Sequence, residues 1–476
     1  MNQPLTFEET VILGKSFALR TVSSRLSILS LAALVLGCSS TSGDQMGAGG
    51  SGGQGGNGLP HAGATSSATG GVSGSSGTNG GTGGVSAGTG GMIAGSGGMT
   101  VGNAGSSSVQ GGSAGRSQMG GSGGVASPGG SGGSGGSAVG ECAPPPSYAD
   151  LFVTVSGKTK AESDQKVATA WSTLFNPSGS GTIYFNGPGA DESYVKDIYN
   201  NDVRSEGMSY GMMAAVQLDH QTEFDRLWTW VKKHMANGTG EIRWSCQTSG
   251  SGCAGGGAPD GEEYMATALI FASHRWGDST GPAKIAYSTE AKWVLDVVRT
   301  KYFNTQYHLV KFVSSSNNVD PSYVLPAFYK VWACFDTENA AFWTEAVTAG
   351  RAYMQKVVDG NGVCPYLASF TATNPQAANS DSLRCVVNLM MDWYLFGEDP
   401  WQKDTYAPKF GAYSSSRNNG GAAVACNATL GFALPASSGK PFVDKLWSTG
   451  VPSGNYWDGV LYMLGMLHVS GSFRIW

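Results

Sequence analysis

Residues 204–213 read Arg-Ser-Glu-Gly-Met-Ser-Tyr-Gly-Met-Met, and the prediction of the fold starts from this stretch. Ser205 is a favourable N-cap residue, and apolar residues recur at helical spacing from Gly207 to Leu218. The pattern therefore predicts a buried helix with Glu206 in its first turn. Because a glycine inside a helix costs roughly 1 kcal/mol relative to alanine, Gly207 and Gly211 indicate that another helix or a ligand approaches this face closely.

Glu206 is the candidate functional residue of this stretch, since it is an acidic side chain among small, apolar and hydroxyl-bearing neighbours. A buried ion pair with Arg204 would explain the same residue without any chemistry. These ten residues alone favour neither interpretation, and the choice between them depends on the rest of the chain.

Helical patterns recur from about residue 144 to residue 476. They predict helices over roughly 161–174, 205–218, 221–236, 260–276, 288–302, 322–334, 338–358, 381–396, 421–432, 440–448 and 456–469. Few stretches alternate as strands do, and the best of them are 182–185 and 307–313. The predicted fold class is therefore all-α with small β additions.

The first third of the chain has the composition of a flexible tether. Residues 41–140 contain 40 of the 73 glycines and only two charged residues, Asp44 and Arg116. Such a segment cannot bury enough apolar surface to offset its chain entropy. We therefore expect a disordered, low-complexity tether over residues 39–143 and one folded domain over residues 144–476.

An export signal is predicted before the tether. Arg20 and Arg25 precede an apolar run over residues 26–36, which is too short to span a bilayer and is followed by Gly37 and Cys38. Residues 1–38 resemble a bacterial lipoprotein signal with lipid attachment at Cys38, and an ordinary secretory signal is the alternative. We expect an exported protein that meets the membrane only through this lipid, at the cell surface or outer membrane, or that is secreted.

Charge and cysteine content limit the classes of partner and site. The net charge is −5 and 13% of residues are charged, without basic patches, which argues against a nucleic-acid partner. Seven cysteines follow Cys38, and Cys246 and Cys253 enclose a short Gly/Ser loop that a disulfide could close. No second Cys or His pair stands at metal-ligand spacing nearby, so we expect no metal. We also expect no cofactor and a monomer.

Two further carboxylates precede apolar helices. Asp260 is followed three residues later by Glu263, which matches a capped helix start, and Asp381 could likewise be only an N-cap. If alternate helices of a helical barrel run parallel, however, their N-terminal ends meet. Glu206, Asp260 and Asp381 would then lie together at one end of the barrel.

Most tryptophans at helical spacing are expected in the core, but Trp244 is an exception. It lies in a loop before a glycine-rich turn, where its flat face could stack on a sugar ring.

Several motifs, taken in order, resemble glycoside hydrolase family 8. They are residues 201–213, 258–264 (Ala-Pro-Asp-Gly-Glu-Glu-Tyr) with 274–277, 320–323 (Asp-Pro-Ser-Tyr) with 325–329, 381–384 (Asp-Ser-Leu-Arg), and 458–463 with 470–476 (Ser-Gly-Ser-Phe-Arg-Ile-Trp). The similarity covers nearly all of residues 160–476. It implies an (α/α)6 barrel with an open sugar-binding groove and an inverting hydrolysis of β-1,4 linkages. The residues of these motifs are most similar to those of the xylan-acting branch of the family.

The resemblance also implies residue roles. Glu206 matches the general acid of the family, Asp381 its general base, and Asp260 the residue that holds the sugar at the reacting subsite. Tyr323 and Arg384 match residues that help to position the water and the base.

The sequence departs from other members of the family at two places that affect the expected specificity. Ser380 stands where cellulase members often have tyrosine, and residues 418–427 lack the His-Pro loop of the reducing-end xylose-releasing exo-oligoxylanases. The sequence therefore favours an endo-acting xylanase. Three alternatives remain. The protein could be a reducing-end xylose-releasing exo-oligoxylanase, or an endoglucanase, lichenase or chitosanase of the same family, or a carbohydrate-binding surface protein without activity.

The predicted acid faces an electrostatic conflict. The positive end of a helix dipole lowers the pKa of a carboxyl group in the first turn, whereas a general acid that works near neutral pH needs a raised pKa. We expect burial near Met208 and Tyr210, together with the charge of Asp260 or Asp381, to raise the pKa of Glu206.

Overall fold

The structure is a computed structural model that describes residues 147–414 and 420–476. The predicted signal over 1–38, its lipid attachment site Cys38 and the predicted tether over 39–143 lie outside the described residues. Residues 415–419 also lie outside them.

The described ranges contain thirteen α-helices. They are α1 (Leu151–Thr154), α2 (Lys160–Phe175), α3 (Ser205–Leu218), α4 (Gln221–Trp230), α5 (Pro259–Arg275), α6 (Tyr287–Val297), α7 (Pro326–Phe335), α8 (Ala340–Val357), α9 (Arg384–Phe396), α10 (Ala407–Ser414), α11 (Gly421–Ala428), α12 (Ala436–Ser448) and α13 (Tyr456–Val469). Helices α1 and α10 were not predicted, because each is too short to show the helical period clearly.

Six of these helices form a closed inner ring. Helix α3 packs on α5, α5 on α7, α7 on α9, α9 on α11, α11 on α13, and α13 returns to α3. Each inner helix also packs against an outer element: α3 against α4, α5 against α6, α7 against α8, α11 against α12, and α13 against α2. The sixth inner helix, α9, packs against residues 402–406. This arrangement is an (α/α)6 barrel, so the fold predicted from the family resemblance is confirmed.

The inner and outer helices differ in how their residues are buried. Helix α5 is buried continuously from Pro259 to Ala272, as expected for a helix that is surrounded on all sides. Outer helix α4 instead buries one face, with Phe224, Leu227 and Trp228 inside. The core therefore lies within the ring of inner helices and between the two layers.

Short antiparallel strands stand at the ends of the helices. A four-stranded sheet has the order β1 (Tyr184–Asn186), β2 (Ser193–Asp197), β3 (Asp202–Arg204) and β4 (Ser245–Gln247). Two smaller sheets pair β5 (Phe303–Asn304) with β6 (Leu309–Val310), and β7 (Asn318–Val319) with β8 (Ala368–Ser369). The predicted strands at 182–185 and 307–313 overlap β1 and β6, whereas the remaining strands are too short for an alternating pattern to show.

The sheet and one disulfide fix the approach to α3. Strand β3 runs directly into α3, and Arg204 pairs with Ser245 of β4. Cys246 and Cys253 form a disulfide that closes the turn after β4, so the predicted pairing is confirmed. Within the two described ranges, no helix is long and apolar enough to cross a membrane.

Candidate active site

The N-terminal ends of the inner helices meet at one end of the barrel. Glu206 lies in the first turn of α3, Asp260 lies in the first turn of α5, and Arg384 is the first residue of α9. Arg384 bonds Glu206 and Asp260, and its Nη2 lies 4.0 Å from Oδ1 of Asp381, one turn before it. The predicted meeting of the three carboxylates is therefore confirmed.

Helix α3 begins one residue earlier than the sequence suggests. Its N-cap is Arg204, which makes no side-chain capping bond, and Ser205 is the first helical residue. Ser205 is buried against α5: a methyl group on Gly261 would lie 2.6 Å from its Oγ. The prediction that Ser205 caps the helix is wrong because this small side chain is used where two inner helices cross.

Arg204 forms its ion pairs with residues other than Glu206. Its Nε lies 3.3 Å from Oδ2 of Asp197 and 3.2 Å from Oδ1 of Asp202, within the four-stranded sheet. Glu206 instead accepts hydrogen bonds from Nη1 of Arg384 and, at 3.3 Å, from the hydroxyl of Tyr456. The interpretation of Glu206 as the buried partner of Arg204 is therefore wrong.

Arg384 is the central cation of the site and is almost fully buried. Its Nη1 donates to Oε1 of Glu206 and, over 2.6 Å, to Oδ2 of Asp260, while Nη2 donates to Oγ of Ser322 over 3.0 Å. Burying a cation is costly unless opposite charges and hydrogen bonds surround it. The family resemblance implied that Arg384 acts with the base, but its shortest contacts are with the other two carboxylates.

Asp260 is not a helix cap. The N-cap of α5 is Ala258, and Oδ1 of Asp260 accepts from the backbone nitrogen of Gly261 over 2.9 Å while Oδ2 faces Arg384. Glu263 is buried and accepts from the hydroxyl of Tyr329 over 2.9 Å. The capped-start interpretation of this pair is therefore wrong, and the carboxylate of Asp260 bonds Arg384 of the carboxylate cluster.

Asp381 is more open to solvent than the other two carboxylates, with a side chain that is 26% exposed. The side-chain oxygen of Asn379 accepts from the backbone nitrogens of Asp381 and Ser382, and its Nδ2 donates to Oδ2 of Asp381 over 3.2 Å. Because Asn379 performs the capping, the interpretation of Asp381 as an N-cap is wrong. The signal that sequence reasoning missed is an asparagine two residues upstream, a common turn former.

Burial decides the protonation of Glu206. It raises the pKa of Glu206 from 4.5 to about 8, with Arg384 opposing the shift and the charges of Asp260 and Asp381 reinforcing it. The predicted upward shift is confirmed. Burial also raises the pKa of Asp260, although Arg384 bonds it directly. Glu206 therefore carries its proton at neutral pH and lies beside a more solvated carboxyl group, Asp381.

Tyr456 is a site residue that sequence reasoning missed. Its ring fills the space above Gly207, where a β-carbon would lie 2.4 Å from Cε2 of Tyr456. At Gly211, a β-carbon would lie 2.9 Å from a methyl group of Val195. The close approach predicted from the two glycines is therefore confirmed, and the approaching groups are side chains of α13 and β2.

Asp320 is a second residue without a predicted role, although it belongs to the Asp-Pro-Ser-Tyr motif. It is fully buried, and its Oδ1 accepts from the backbone nitrogen of Ser322 over 2.9 Å. Within the described residues its Oδ2 has no hydrogen-bond partner. Burial raises the pKa of Asp320 to about 7, and the turn that it caps presents Ser322 to Arg384.

Aromatic rings surround the cation. The rings of Tyr323 and Trp457 have their centroids 5.3 and 5.5 Å from the guanidinium carbon of Arg384. Trp244 lies further out: its carbonyl oxygen accepts from the backbone nitrogen of Ser205 over 2.9 Å, and the guanidinium of Arg204 lies 5.4 Å from its ring centroid. Trp244 is therefore linked to the start of α3, and its contact with a sugar stays a prediction.

The arrangement provides for acid–base chemistry through carboxyl groups. One carboxyl group is kept protonated by burial, and another is partly solvated. In the part of the chain covered by residues 147–414 and 420–476, no cluster of three His, Cys, Asp or Glu side chains is arranged to hold a metal ion.

Comparison with known proteins gives a consistent family assignment. The sequence profile described as glycosyl hydrolases family 8 matches residues 192–470. The chain is similar to the reducing-end xylose-releasing exo-oligoxylanase Rex8A of Paenibacillus barcinonensis, with 33% identity over 372 residues that cover 69% of this chain and 97% of that protein. It is also similar to endoglucanase A of Acetivibrio thermocellus, with 30% identity over 280 residues that cover 53% of each chain.

Similarity extends to a solved structure. The structure of Rex8A from Paenibacillus barcinonensis complexed with xylose superimposes with a TM-score of 0.65 and 32% identity, covering 69% of this chain and 97% of that one.

Proposed function

This chain belongs to glycosyl hydrolase family 8 and is a glycoside hydrolase, and from that premise we propose that it cleaves β-1,4 linkages of xylan or xylo-oligosaccharides with inversion of configuration. In this proposal Glu206 is the general acid, Asp381 is the general base that activates water, and Asp260 holds the sugar at the reacting subsite. An inverting enzyme needs an acid and a base on opposite sides of the scissile bond, roughly 6.5–9.5 Å apart.

One observation carries the assignment of acid and base. Glu206 is buried with a pKa raised to about 8, whereas Asp381 is partly exposed beside Asn379. A general acid must hold a proton in the ground state, and a general base must be ionised and accessible to water. The buried environment of Glu206 therefore fits the general acid, and the solvent-accessible environment of Asp381 fits the general base.

In the proposed reaction, the carboxyl group of Glu206 donates its proton to the glycosidic oxygen as the bond to the anomeric carbon breaks. Asp381 accepts a proton from the water that attacks the opposite face of the sugar. Arg384 stays paired with Asp260 and with the carboxylate left on Glu206, which stabilises the charge that develops there.

The preferred substrate class is supported by similarity to proteins named as xylo-oligosaccharide-cleaving enzymes. Their names describe release of xylose from the reducing end, which favours exo action as a second candidate. The absence of a His-Pro sequence in residues 418–427 favours endo action.

A panel of substrates tests both candidates. The purified enzyme is incubated with xylan, xylohexaose labelled at its reducing end, carboxymethylcellulose, lichenan and chitosan, and product sizes are followed with time. Endo action releases several labelled oligosaccharides from xylohexaose, whereas exo action releases labelled xylose alone at first. Preference for carboxymethylcellulose, lichenan or chitosan over both xylan substrates contradicts the proposed substrate class.

A further inference from the structure

Glu263 is a buried carboxyl group that takes no direct part in the proposed reaction. It lies on α5 three residues after Asp260, and residues at this spacing share one face of a helix. Its side chain is fully buried, and its Oε1 lies 2.9 Å from the hydroxyl oxygen of Tyr329. Within residues 147–414 and 420–476, Oε2 of Glu263 has no hydrogen-bond partner. The contact with Tyr329 therefore decides how this carboxyl group is bonded.

Tyr329 connects Glu263 to the turn that carries Tyr323. It is buried near the start of α7, and its hydroxyl oxygen also lies 3.2 Å from the carbonyl oxygen of Tyr323. Tyr323 ends the short turn Pro321–Tyr323, and the centroid of its ring lies 5.3 Å from the guanidinium carbon of Arg384. Two successive contacts therefore join Glu263 to a residue beside the central cation of the site.

The hydroxyl group of Tyr329 has one proton, but it faces two oxygens. Burial raises the pKa of Tyr329 well above its ordinary value, so the hydroxyl keeps this proton at neutral pH. An ionised Glu263 can only accept the proton, which leaves the buried carbonyl of Tyr323 facing an oxygen without a proton between them. A protonated Glu263 can donate to Tyr329 through the same contact, and Tyr329 then donates to the carbonyl. Since an unpaired buried polar atom is costly, the contacts favour the protonated form.

The surroundings of Glu263 favour the same form. Burial is the largest cause that raises the pKa of Glu263 well above its ordinary value, and the negative charges of Asp260 and Glu262 raise it further. The hydrogen bond with Tyr329 and the charge of Arg384 oppose the shift. Geometry and charge therefore agree on a neutral carboxyl group at this position.

We propose that Glu263 is a positioning residue, which stays protonated and donates a hydrogen bond to Tyr329, so that Tyr329 donates to the carbonyl oxygen of Tyr323. It rests on the proposed function in one respect, since the family resemblance implies that Tyr323 helps to position the attacking water. Hydrogen bonds in a chain polarise and strengthen one another, so Glu263 makes Tyr329 a better donor to the turn. The ring of Tyr323 is thereby held in one orientation beside Arg384.

Carbon-13 NMR tests the protonation of Glu263 without any measurement of activity. The full chain is labelled at the side-chain carboxyl carbon of glutamate, and the signal that disappears in Glu263→Gln is assigned to Glu263. We expect this signal to lie where protonated carboxyl groups do and to stay there from about pH 5 to about pH 8. Tyr329→Phe removes the bonded hydroxyl and should shift the same signal, which gives a second assignment.

A carboxyl signal of Glu263 that titrates near the ordinary pKa of glutamate, about 4.3, overturns the proposal. This result is independent of the proposed function, because it holds whichever substrate the enzyme cleaves. Failure to cleave xylan or xylo-oligosaccharides would contradict the proposed function but would leave the position of this signal unchanged.

Tyr329→Phe tests the second hydrogen bond in the chain. The change removes the hydroxyl group but keeps the ring, which packs on Phe303 and Trp332. On the substrate that is cleaved fastest, we expect kcat to fall about tenfold and KM to stay within about twofold, because the water rather than the sugar loses its positioning. Tyr353→Phe is the matched control, since it removes a buried hydroxyl that has no partner within the described ranges, and it should keep kcat. Equal kcat values for Tyr329→Phe and the parent contradict a positioning role.

Two variants of Glu263 separate a hydrogen-bond donor from a negative charge. Glu263→Met has no donor, so the oxygen of Tyr329 is no longer held and kcat should fall severalfold. Glu263→Gln should keep most of the parent's kcat, since its amide nitrogen donates to Tyr329 as the protonated carboxyl group does. If Glu263→Gln loses as much activity as Glu263→Met, this side chain acts through its charge and the proposal is wrong.

Discussion

Arg384 donates a hydrogen bond from Nη1 to Oε1 of Glu206, although 178 residues separate the two in sequence. An arginine beside a carboxyl group lowers its pKa, but burial outweighs this effect and the pKa of Glu206 is raised to about 8. The pair therefore combines two requirements of a general acid. Glu206 holds its proton at neutral pH, and a cation is already in place for the carboxylate that remains after the proton is donated.

Replacement of Glu206 with glutamine should abolish hydrolysis. The amide keeps the size of the side chain but cannot donate a proton to the leaving oxygen, so we expect kcat on xylan to fall by at least about a thousandfold, near the usual range for general acid catalysis. Circular dichroism and oligosaccharide binding should change little. Glu290→Gln, the same change on outer helix α6, is the matched control and should keep full activity. Retention of more than a few per cent of activity in Glu206→Gln would exclude it as the acid.

Replacement of Asp381 with asparagine should be nearly as damaging, because the attacking water loses its base. Asp296→Asn, an exposed position, is the control for the chemical change. Proton NMR of the first products of the parent enzyme provides a separate check, since inversion of a β linkage yields the α anomer first. Early products with the β configuration would contradict both the inverting mechanism and the role of Asp381.

Asp260→Asn should affect binding as well as rate. The change removes one of the two carboxylates that Nη1 of Arg384 bonds, and with it the proposed contact to the sugar at the reacting subsite. We expect KM for xylo-oligosaccharides to rise severalfold and kcat to fall, in contrast with Glu206→Gln, which should leave binding intact. An unchanged KM with a lower kcat would place Asp260 in the chemical step alone.

The raised pKa of Glu206 predicts how stability depends on pH. Between about pH 4.5 and about pH 8 the native state keeps a proton on Glu206 that the unfolded chain has lost. The stability from this group is therefore complete below about pH 4.5 and is lost as the pH rises towards about 8.

Glu206→Gln removes this pH-dependent loss of stability because glutamine does not titrate. We expect the Tm of the variant, relative to the parent, to increase by several degrees between about pH 5 and about pH 9. Thermal unfolding followed by circular dichroism measures the difference. A difference in Tm that stays constant over this range would show that Glu206 titrates near its ordinary pKa in the native protein.

The predicted tether and lipid anchor can be tested without the structure. Removal of residues 39–140 should leave kcat and KM on soluble xylo-oligosaccharides unchanged, because the composition of the predicted tether provides too few apolar residues to form part of a core. Cys38→Ser should release active enzyme into the medium, since the proposed lipid would have no attachment site. A truncated protein that does not fold, or a Cys38→Ser variant that stays in the membrane fraction, would contradict this interpretation.

Local patterns predicted the helices well and the ends of helices poorly. Apolar residues at helical spacing are a property of the sequence itself, and they identified α3, α5 and α9. Capping depends on which atoms lie nearby in the folded chain. The residue type of Ser205 predicts a cap that α3 does not have, whereas the side chain of Asn379 accepts from the backbone nitrogens of the turn at Asp381. The strands of the four-stranded sheet were mostly missed because three residues are too few to establish a period.

The sequence by itself determined two things: periodicity along the chain gave the all-α class, and the motifs gave the resemblance to the family. That resemblance in turn implied the barrel and the three candidate carboxylates. Only the tertiary structure decided how the carboxylates are paired and protonated. Arg384 bonds Glu206 and Asp260, which precede it by 178 and 124 residues in the sequence, and Asp381 stays partly exposed. Burial and charge–charge distances arise when the six inner helices close into a ring, and neither is a property of a local stretch of sequence.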